Sequence, residues 1–450
     1  MDIKGVEKYL DTLLTRYKDY GFEAAQAGFV KSIDKTVSIR DGVVESFEDS
    51  DNQKLIFEGL KNGHIAASGT NLFDEGSIEF LLSNTSENCD ILTEKDEDFI
   101  YCDPEKKDWE IYQRSDKADL NTYNEYERLG LLLEKKILSC DPAVTRIEAL
   151  SIGGSETESI KKNSLGLRIL KNNSEVSVFA EAAAEKDGVV KNAGNFWTGR
   201  EISKFEEEMD KFVEELRDDL MCKFGGAPVP SGKYEVLLDR EAVVSLFGVY
   251  FGALSALNMQ KGLSLLAGKE GEKIASDCFT LREEPMYEKA MDKFPIDGEN
   301  YPTSAKAFIE NGVFKTAMYT LKSANKAGKK PTGNGFGGSG GASNIIIDPG
   351  IHSPEEIFAD MKDGLYIREL SGLHAGANPL SGDFSLLCEG VLIKDGKKDR
   401  YVEQITCSGN FFDLLKDIKE TANDVKSFPG SSEFFSVSLR IGSLDIAGEE

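Results

Sequence analysis

The chain has 450 residues, 40% of them hydrophobic, enough for two or three domains with separate cores. Its 79 Asp and Glu against 53 Lys and Arg give a net charge of −26. That balance excludes a broad basic surface for the nucleic-acid backbone, whose phosphates it would repel, and fits a solvated acidic exterior.

The opening Met1-Asp2-Ile3-Lys4 leads into an amphipathic helix, not a signal peptide. Val6, Tyr9, Leu10, Leu13, Leu14 and Tyr17 recur at helical spacing, and Gly21 is placed to end the helix. Strand-like segments follow at Glu23–Lys31, Thr36–Arg40, Val43–Asp49, Lys54–Leu60 and His64–Ser68. Asp41-Gly42 and Asn62-Gly63 punctuate them as hairpin turns. A helix is predicted over Glu75–Asn84, and the charged stretch Glu94–Lys117 reads as a surface excursion. A long helix from about Thr122 to Leu138 precedes a second meander: Val144–Ile152, Glu156–Lys162, Gly166–Lys171, Glu175–Ala184 and Val189–Phe196. Helix plus meander thus occurs twice, without a residue-level repeat. An acidic amphipathic helix, Ile202–Phe224, runs into the linker-like Gly225–Gly232.

The second half opens with strand Lys233–Leu238 and a helix from Asp239. Ala242–Leu257 is the most apolar segment, slightly short for a membrane span and carrying Ser245, Gly248, Gly252 and Ser255. It reads as one buried helix whose small residues admit a close neighbour. A long loop is expected over Gly262–Tyr301, then strands near Ala307–Ile309 and Phe314–Tyr319 joined by Asn311-Gly312. A glycine-rich coil covers Gly328–Gly341, followed by strand Asn344–Asp348 and helix Pro354–Lys362. Asp395-Gly396 joins the hairpin strands Phe384–Ile393 and Tyr401–Thr406. From Phe411 a helix is predicted, with Leu414, Leu415, Ile418 and Thr421 on one face, and Phe434–Ile441 is the expected closing strand. The fold class is α+β: an N-terminal domain (1–228, with subregions of about 1–118 and 119–228) of helices and antiparallel meanders, and a mainly antiparallel β domain (229–450) with a buried helix.

Chemistry is sparse. A hydrolytic zinc site needs about three ligands and an open position, yet the chain has only His64, His352 and His374, none paired at helical spacing. The seven cysteines are scattered, odd in number and without a C-x-x-C pair, which fits free thiols in a reducing cytoplasm. Gly337-Gly338-Ser339-Gly340-Gly341 matches a nucleophile elbow by letter but follows coil and precedes a strand, the reverse of what an elbow needs. No G-K-[ST] follows the glycines, so a phosphate cradle is not indicated either.

The stretch Arg368–Phe412 is the most distinctive: a turn-rich loop with Asn378-Pro379-Leu380-Ser381-Gly382-Asp383-Phe384-Ser385, a hairpin, then Ile405-Thr406-Cys407-Ser408-Gly409-Asn410. With Gly232-Lys233-Tyr234, Asn163-Ser164-Leu165-Gly166, Asn423-Asp424 and Ile446-Ala447-Gly448, it resembles the TldD/PmbA family of peptide-maturation proteins, in its PmbA (TldE) branch, over nearly the whole chain. TldD-type members carry a helical H-E-x-x-x-H that binds zinc. The aligned segment here is Asp239-Arg240-Glu241-Ala242-Val243-Val244-Ser245, with Arg240 and Ser245 at the histidine positions and Glu241 at the glutamate. Catalytic and metal-ligating residues therefore do not carry over. The loop Thr332-Gly333-Asn334-Gly335 would border a peptide-handling cavity, with Asn334 where PmbA-type chains have histidine. The resemblance thus implies Arg240, Glu241, Asn334 and Gly335 as substrate-binding candidates, and zinc only in a TldD-like partner subunit. It further implies unfolded or leader peptides as substrates, and a homo- or heterodimer in the cytoplasm. Neither nucleic acid nor membrane is expected, and the family's naming as a modulator of DNA gyrase supplies no physical reason for DNA contact. Two alternatives remain: a self-sufficient homodimeric peptide-binding or scaffold protein, and an enzyme with a different site around Arg240 and Glu241. Asp383 is expected to serve turn chemistry.

Overall fold

The structure is a computed structural model that describes residues 3–93, 98–114, 123–430 and 432–449. It divides into two compact units, Met1–Met221 and Cys222–Glu450. Residues 222–228, expected in the N-terminal domain, belong to the second unit, where Arg400 Nη2 donates to the Pro228 carbonyl (2.8 Å) and Arg400 Nη1 to that of Ala227 (2.5 Å).

In the first unit, helix α1 (Ile3–Arg16) ends in a 3-10 turn closed by Gly21 at φ 82°. Then come β1 (Ala24–Arg40), β2 (Val43–Lys61), β3 (His64–Thr70), α2 (Glu75–Asp90), β4 (Asp108–Gln113), α3 (Tyr123–Ser139), β5 (Val144–Asn163), β6 (Arg168–Lys186), β7 (Val189–Gly199) and α4 (Ile202–Cys222). All seven strands form one sheet in the order β3-β2-β1-β5-β6-β4, with β7 also on β6. The two expected meanders are joined by the antiparallel β1–β5 pairing, so the subregions share one sheet.

Several strands expected as separate pieces are continuous. Ser32–Lys35 pairs with Asn52–Asp49 across β1 and β2, and Lys31–Asp51 (3.3 Å) and Lys35–Asp49 (3.8 Å) bridge the polar middle. Gly153 and Gly154 do not interrupt β5, because both are paired on two sides, by β1 and β6. The stretch Glu94–Lys117, of which 94–97 and 115–117 lie outside the described residues, contains β4, which pairs in parallel with β6. Val6, Leu10 and Leu13 of α1 and Ile78, Leu81 and Leu82 of α2 bury against Phe29, Leu55 and Phe57 of the sheet.

The second unit comprises β8 (Gly232–Leu238), α5 (Arg240–Tyr250), α6 (Ala256–Gln260), β9 (Leu281–Glu283), β10 (Lys306–Glu310), β11 (Val313–Phe314), α7 (Leu321–Ala327), β12 (Ile345–Ile347) and α8 (Pro354–Met361). It continues with β13 (Gly364–Ser371), α9 (Leu373–Gly376), β14 (Asp383–Lys394), β15 (Lys397–Asn410), α10 (Phe411–Asp417), β16 (Ile418–Thr421), β17 (Lys426–Phe428), β18 (Phe434–Ser436) and β19 (Leu439–Ala447). One sheet runs β15-β14-β13-β8-β19-β16, and β15 also pairs with β19. That extra pairing, over Thr406–Ser408, closes five strands into a barrel and removes their free edges. The other sheet runs β11-β10-β9-β12-β18-β17. Helix α5 shares a core with both: Phe247 meets Phe279, Phe411 and Phe434 at 5.2–6.1 Å between ring centroids.

Three expectations are corrected here. The apolar run Ala242–Leu257 is not one helix. It is α5, a 3-10 turn (Phe251–Leu254) and α6, restarted by Ser255, whose hydroxyl accepts from Asn258 N (3.2 Å). Gly248 and Gly252 are exposed rather than packed against a neighbour. Ile418 and Thr421 leave the predicted C-terminal helix for β16, because they pair with Ile441 and Leu439. Phe434–Ile441 splits into β18 and β19, which lie in different sheets.

Candidate functional site

The entry to α5 is built from polar residues set on apolar strands. Asp239 caps the helix from an extended backbone (φ −62°, ψ 155°), its Oδ1 accepting from Glu241 N at 2.9 Å. The other carboxylate oxygen accepts from the buried Tyr366 hydroxyl on β13, whose pKa burial and the adjacent charge push well up. Arg240, next in line, is tied to Asp424: Nη1 donates to the main-chain carbonyl (3.1 Å) and Nε lies 3.5 Å from the carboxylate. Asp424 in turn accepts from Ser438 N (2.9 Å) and Oγ (2.8 Å). Glu241 is exposed in the first turn, where the helix dipole favours a carboxylate, and Ser245 is half-buried one turn on.

The glycine-rich loop rests on a buried carboxylate. Glu283 of β9 is fully buried and accepts four bonds: from Lys306 Nζ (2.5 Å), Asn334 Nδ2 (2.9 Å), Ser343 N (2.7 Å) and Ser343 Oγ (2.7 Å). Asn334 also donates to Gly341 O (2.9 Å) and accepts from Thr332 Oγ1 (2.7 Å). The N–H of Gly335 goes to Asp297 Oδ2 (2.8 Å). Both Asn334 and Gly335 are buried and shape the loop from within; of the four candidates only Arg240 and Glu241 reach the surface. The loop contacts the α5–α6 segment through Ser255, whose hydroxyl donates to the Ser339 carbonyl.

A third feature has no trace in the sequence. A cavity of about 460 Å³ opens between α6 and the end of α7, lined in part by Ala256, Met259, Gln260, Glu270, Tyr319 and Lys329. At its polar end three side chains close a ring. Lys329 Nζ donates to Glu270 and to Tyr319 Oη (2.8 Å), and Tyr319 Oη donates to Glu270 Oε1 (3.0 Å), which also accepts from Ala317 N (3.1 Å). Burial alone would raise the Glu270 carboxyl, but the bonds from Lys329, Ala317 and Tyr319 outweigh it and hold it below its ordinary value. The bonds to Glu270 and Tyr319 raise Lys329, and burial raises Tyr319, so the ring holds one ammonium, one carboxylate and a neutral phenol.

Residues 231–448 match the model of the PmbA/TldA metallopeptidase C-terminal domain. The chain is 25% identical to the metalloprotease PmbA of Escherichia coli O157:H7 over 341 residues, 74% of each protein. It is 22% identical to the metalloprotease PmbA homolog of Haemophilus influenzae over 414 residues, 90% of this chain and 88% of that one. Among solved structures, a putative modulator of DNA gyrase from Thermotoga maritima superposes with a TM-score of 0.84 at 27% identity, covering 98% of this chain and 100% of that one. TldE from Thermococcus kodakarensis shares the fold, with a TM-score of 0.81 at 21% identity and coverage of 98% and 100%. The chain resembles the TldD/PmbA family, whose C-terminal domain model matches its second unit.

The loop that most resembles this family proves to be turn chemistry. Asn378 Oδ1 accepts from Leu380 N (2.9 Å) and Ser381 N (3.3 Å), and Asp383 accepts from Asn410 Nδ2 (2.9 Å). The Asn410 amide and the Ser381 hydroxyl hold the Asp383 carboxyl below its ordinary value. Tyr250 of α5 donates to the Asp383 carbonyl (2.9 Å) while stacked on Phe411, so the loop is tied to the helix; burial pushes its phenol up to about 12.

The zinc that the TldD branch of the family implies does not fit the start of α5. A guanidinium has no lone pair to donate, and that of Arg240 is committed to Asp424. A serine hydroxyl is a poor zinc ligand, and among the described residues no three His, Cys, Asp or Glu side chains gather as a ligand set.

Proposed function

We propose that this chain is a PmbA/TldE-like subunit of a TldD/TldE-type metallopeptidase system, one that handles unfolded or leader peptides without bearing the zinc itself. The observation that carries this reading is the Arg240–Asp424 pair at the position where the resemblance puts a zinc-binding histidine. A side chain anchored in that way stabilises the helix entry and leaves no site for a metal-bound water. The zinc then belongs to a TldD-like partner, in a heteromeric assembly in the cytoplasm. Seven scattered cysteines, odd in number and without a C-x-x-C pair, agree with a reducing compartment. Capturing a peptide as an added strand needs few specific side chains, so a subunit can be necessary without catalytic residues. Exposed Glu241, next to half-buried Arg240, is open to contact with such a peptide.

The test mixes the purified chain, a TldD-like partner from the same source and an unfolded peptide, with each component omitted in turn. Cleavage is expected only when both proteins are present, with stoichiometric zinc in the partner and none in this chain by elemental analysis. Cleavage by the partner at the same rate without this chain would falsify the subunit reading.

A further inference from the structure

One edge of the first unit's sheet is left bare. Strand β7 follows β6 through the two-residue turn Asp187-Gly188 and pairs with it in unbroken register, from Lys186↔Val189 to Val176↔Gly199. In an antiparallel pair alternate residues turn their main-chain groups toward the partner strand. Here Val189, Lys191, Ala193, Asn195 and Trp197 face β6, so the N–H and C=O groups of Val190, Asn192, Gly194, Phe196 and Thr198 point out of the sheet. The Phe196 N–H, which goes to Asn195 Oδ1 (2.9 Å) instead of to β6, follows that alternation. Among the described residues no strand lies beyond β7, and nothing takes up the outward groups of Val190, Asn192 and Gly194. Val190 and Phe196 are 44% and 49% exposed.

A long bare edge invites another strand, and proteins ordinarily guard against it with charge, shortness or a cover. The other edges of this sheet are guarded. The half of β2 beyond β3 carries Glu45, Glu48, Asp49 and Asp51. The start of β3 is covered by Asp98, whose N–H donates to the Gly63 carbonyl (2.8 Å) and whose Oδ2 accepts from Ile65 N (3.1 Å). β4 has six residues and carries Asp108 and Glu110. β7 has eleven residues and one charge, Lys191.

Charge and symmetry name the occupant. A chain of net charge −26 repels its own copy over most of its surface, so two copies meet most readily where charge is scarce. Antiparallel pairing about a twofold axis at Gly194 sets Val190 against Thr198 of the second copy, Asn192 against Phe196 and Lys191 against Trp197. No like charges face each other, and a cation lies opposite an indole. Both strands have the same groups to satisfy, so each meets the need of the other in the isologous manner of twofold dimers. A passing peptide would leave the edge bare between visits, whereas a second copy keeps it closed.

We infer that β7 is an interface at which two copies of this chain join their seven-stranded sheets, strand against strand, across a twofold axis near Gly194. The inference stands apart from the subunit reading, because it concerns copies of this chain and holds whether or not a TldD-like partner binds elsewhere.

Sedimentation velocity of the full chain at low micromolar concentration should show a species of twice the chain mass. Asn192→Pro deletes an outward N–H that β6 does not use, and should weaken the dimer by more than about tenfold. Asn192→Lys combined with Phe196→Lys sets ammonium groups against each other on both sides of the axis and should weaken it by about tenfold. Asn192→Lys combined with Phe196→Glu makes the same pairs complementary and should restore it. Thermal melts show that each variant folds, and the charged substitutions stand at exposed positions. A monomeric wild type would overturn the interface, as would a dimer that is equally stable in the proline and double-lysine variants. So would a lysine–glutamate variant that dimerises no better than the double-lysine one. Partner-dependent cleavage by a chain that stays monomeric would keep the subunit reading and sink the interface.

Discussion

Arg240 opens α5 with its guanidinium on Asp424, Nη1 to the main-chain carbonyl at 3.1 Å and Nε 3.5 Å from the carboxylate. The pair is largely shielded, with 30% and 12% of the two side chains exposed. Arg240→Met should therefore destabilise the chain by about 1–3 kcal/mol, the range for losing a charged hydrogen-bond partner. Asp424 keeps its two bonds from Ser438, which holds the loss below that of a fully stranded carboxylate. Urea denaturation reads the change. A midpoint equal to wild type would show that the contact holds nothing in place.

The buried Glu283 should be the more sensitive position. Its removal leaves the Lys306 ammonium with only the Ser304 carbonyl, takes one of Asn334's partners and strips the acceptor from the Ser343 N–H and hydroxyl. Breaking a buried ion pair from one side costs about 3–5 kcal/mol, and Glu283→Ala should fall there by urea denaturation. Asn334→Ala should lose about 1–2 kcal/mol, since Glu283 keeps three of its four partners. If Asn334 contacted substrate instead, its alanine variant would lose peptide affinity without losing stability.

His352 gives a pH-dependent signal. Its Nδ1 bonds Glu420, and that contact, with the nearby carboxylates of Glu356 and Asp360, raises its pKa above the ordinary 6.5. A raised folded-state value means that the contribution is complete below 6.5 and fades as pH rises through the raised value. The chain has only three histidines, so proton NMR can follow each ring. His352 should titrate above 6.5, and Glu420→Gln should bring it down. A His352 midpoint at or below 6.5 in the wild type would refute the contact.

The barrel offers a steric test. Gly390 sits in β14 where a Cβ would lie 2.0 Å from the Tyr366 carbonyl and 2.9 Å from Ile367 Cα of β13. Both obstacles are backbone, so Gly390→Ala must push the strands apart, at a cost of about 1–3 kcal/mol or more. Gly188→Ala is the control for glycine conformation without crowding: its φ is 77° and nothing lies within 4 Å. The Gly390 variant should melt lower than the Gly188 variant.

How much was legible in the sequence depended on the range of the forces involved. Asp41-Gly42, Asn62-Gly63, Asn311-Gly312 and Asp395-Gly396 all take the paired positive φ values expected of them, because a tight turn is decided by the residues within it. The amphipathic patterns of α1 and α4 were local in the same sense. Arg240 and Ser245, at the positions where the resemblance implies zinc-binding histidines, were likewise read from the chain alone. Tertiary structure decided the rest. Pairing on both sides carried β5 through two glycines, and a partner in β19 drew Ile418 out of a helix that its spacing favoured. Asn334 looks like an exposed loop residue until Glu283, 51 positions earlier, takes its amide inside. Glu270, Tyr319 and Lys329 carry no local signal, since they meet only when the ends of α6 and α7 are brought together around one cavity. Turn and helix propensities act over a few neighbours along the chain. Burial, strand pairing and charge compensation act between segments whose proximity the folded backbone alone creates.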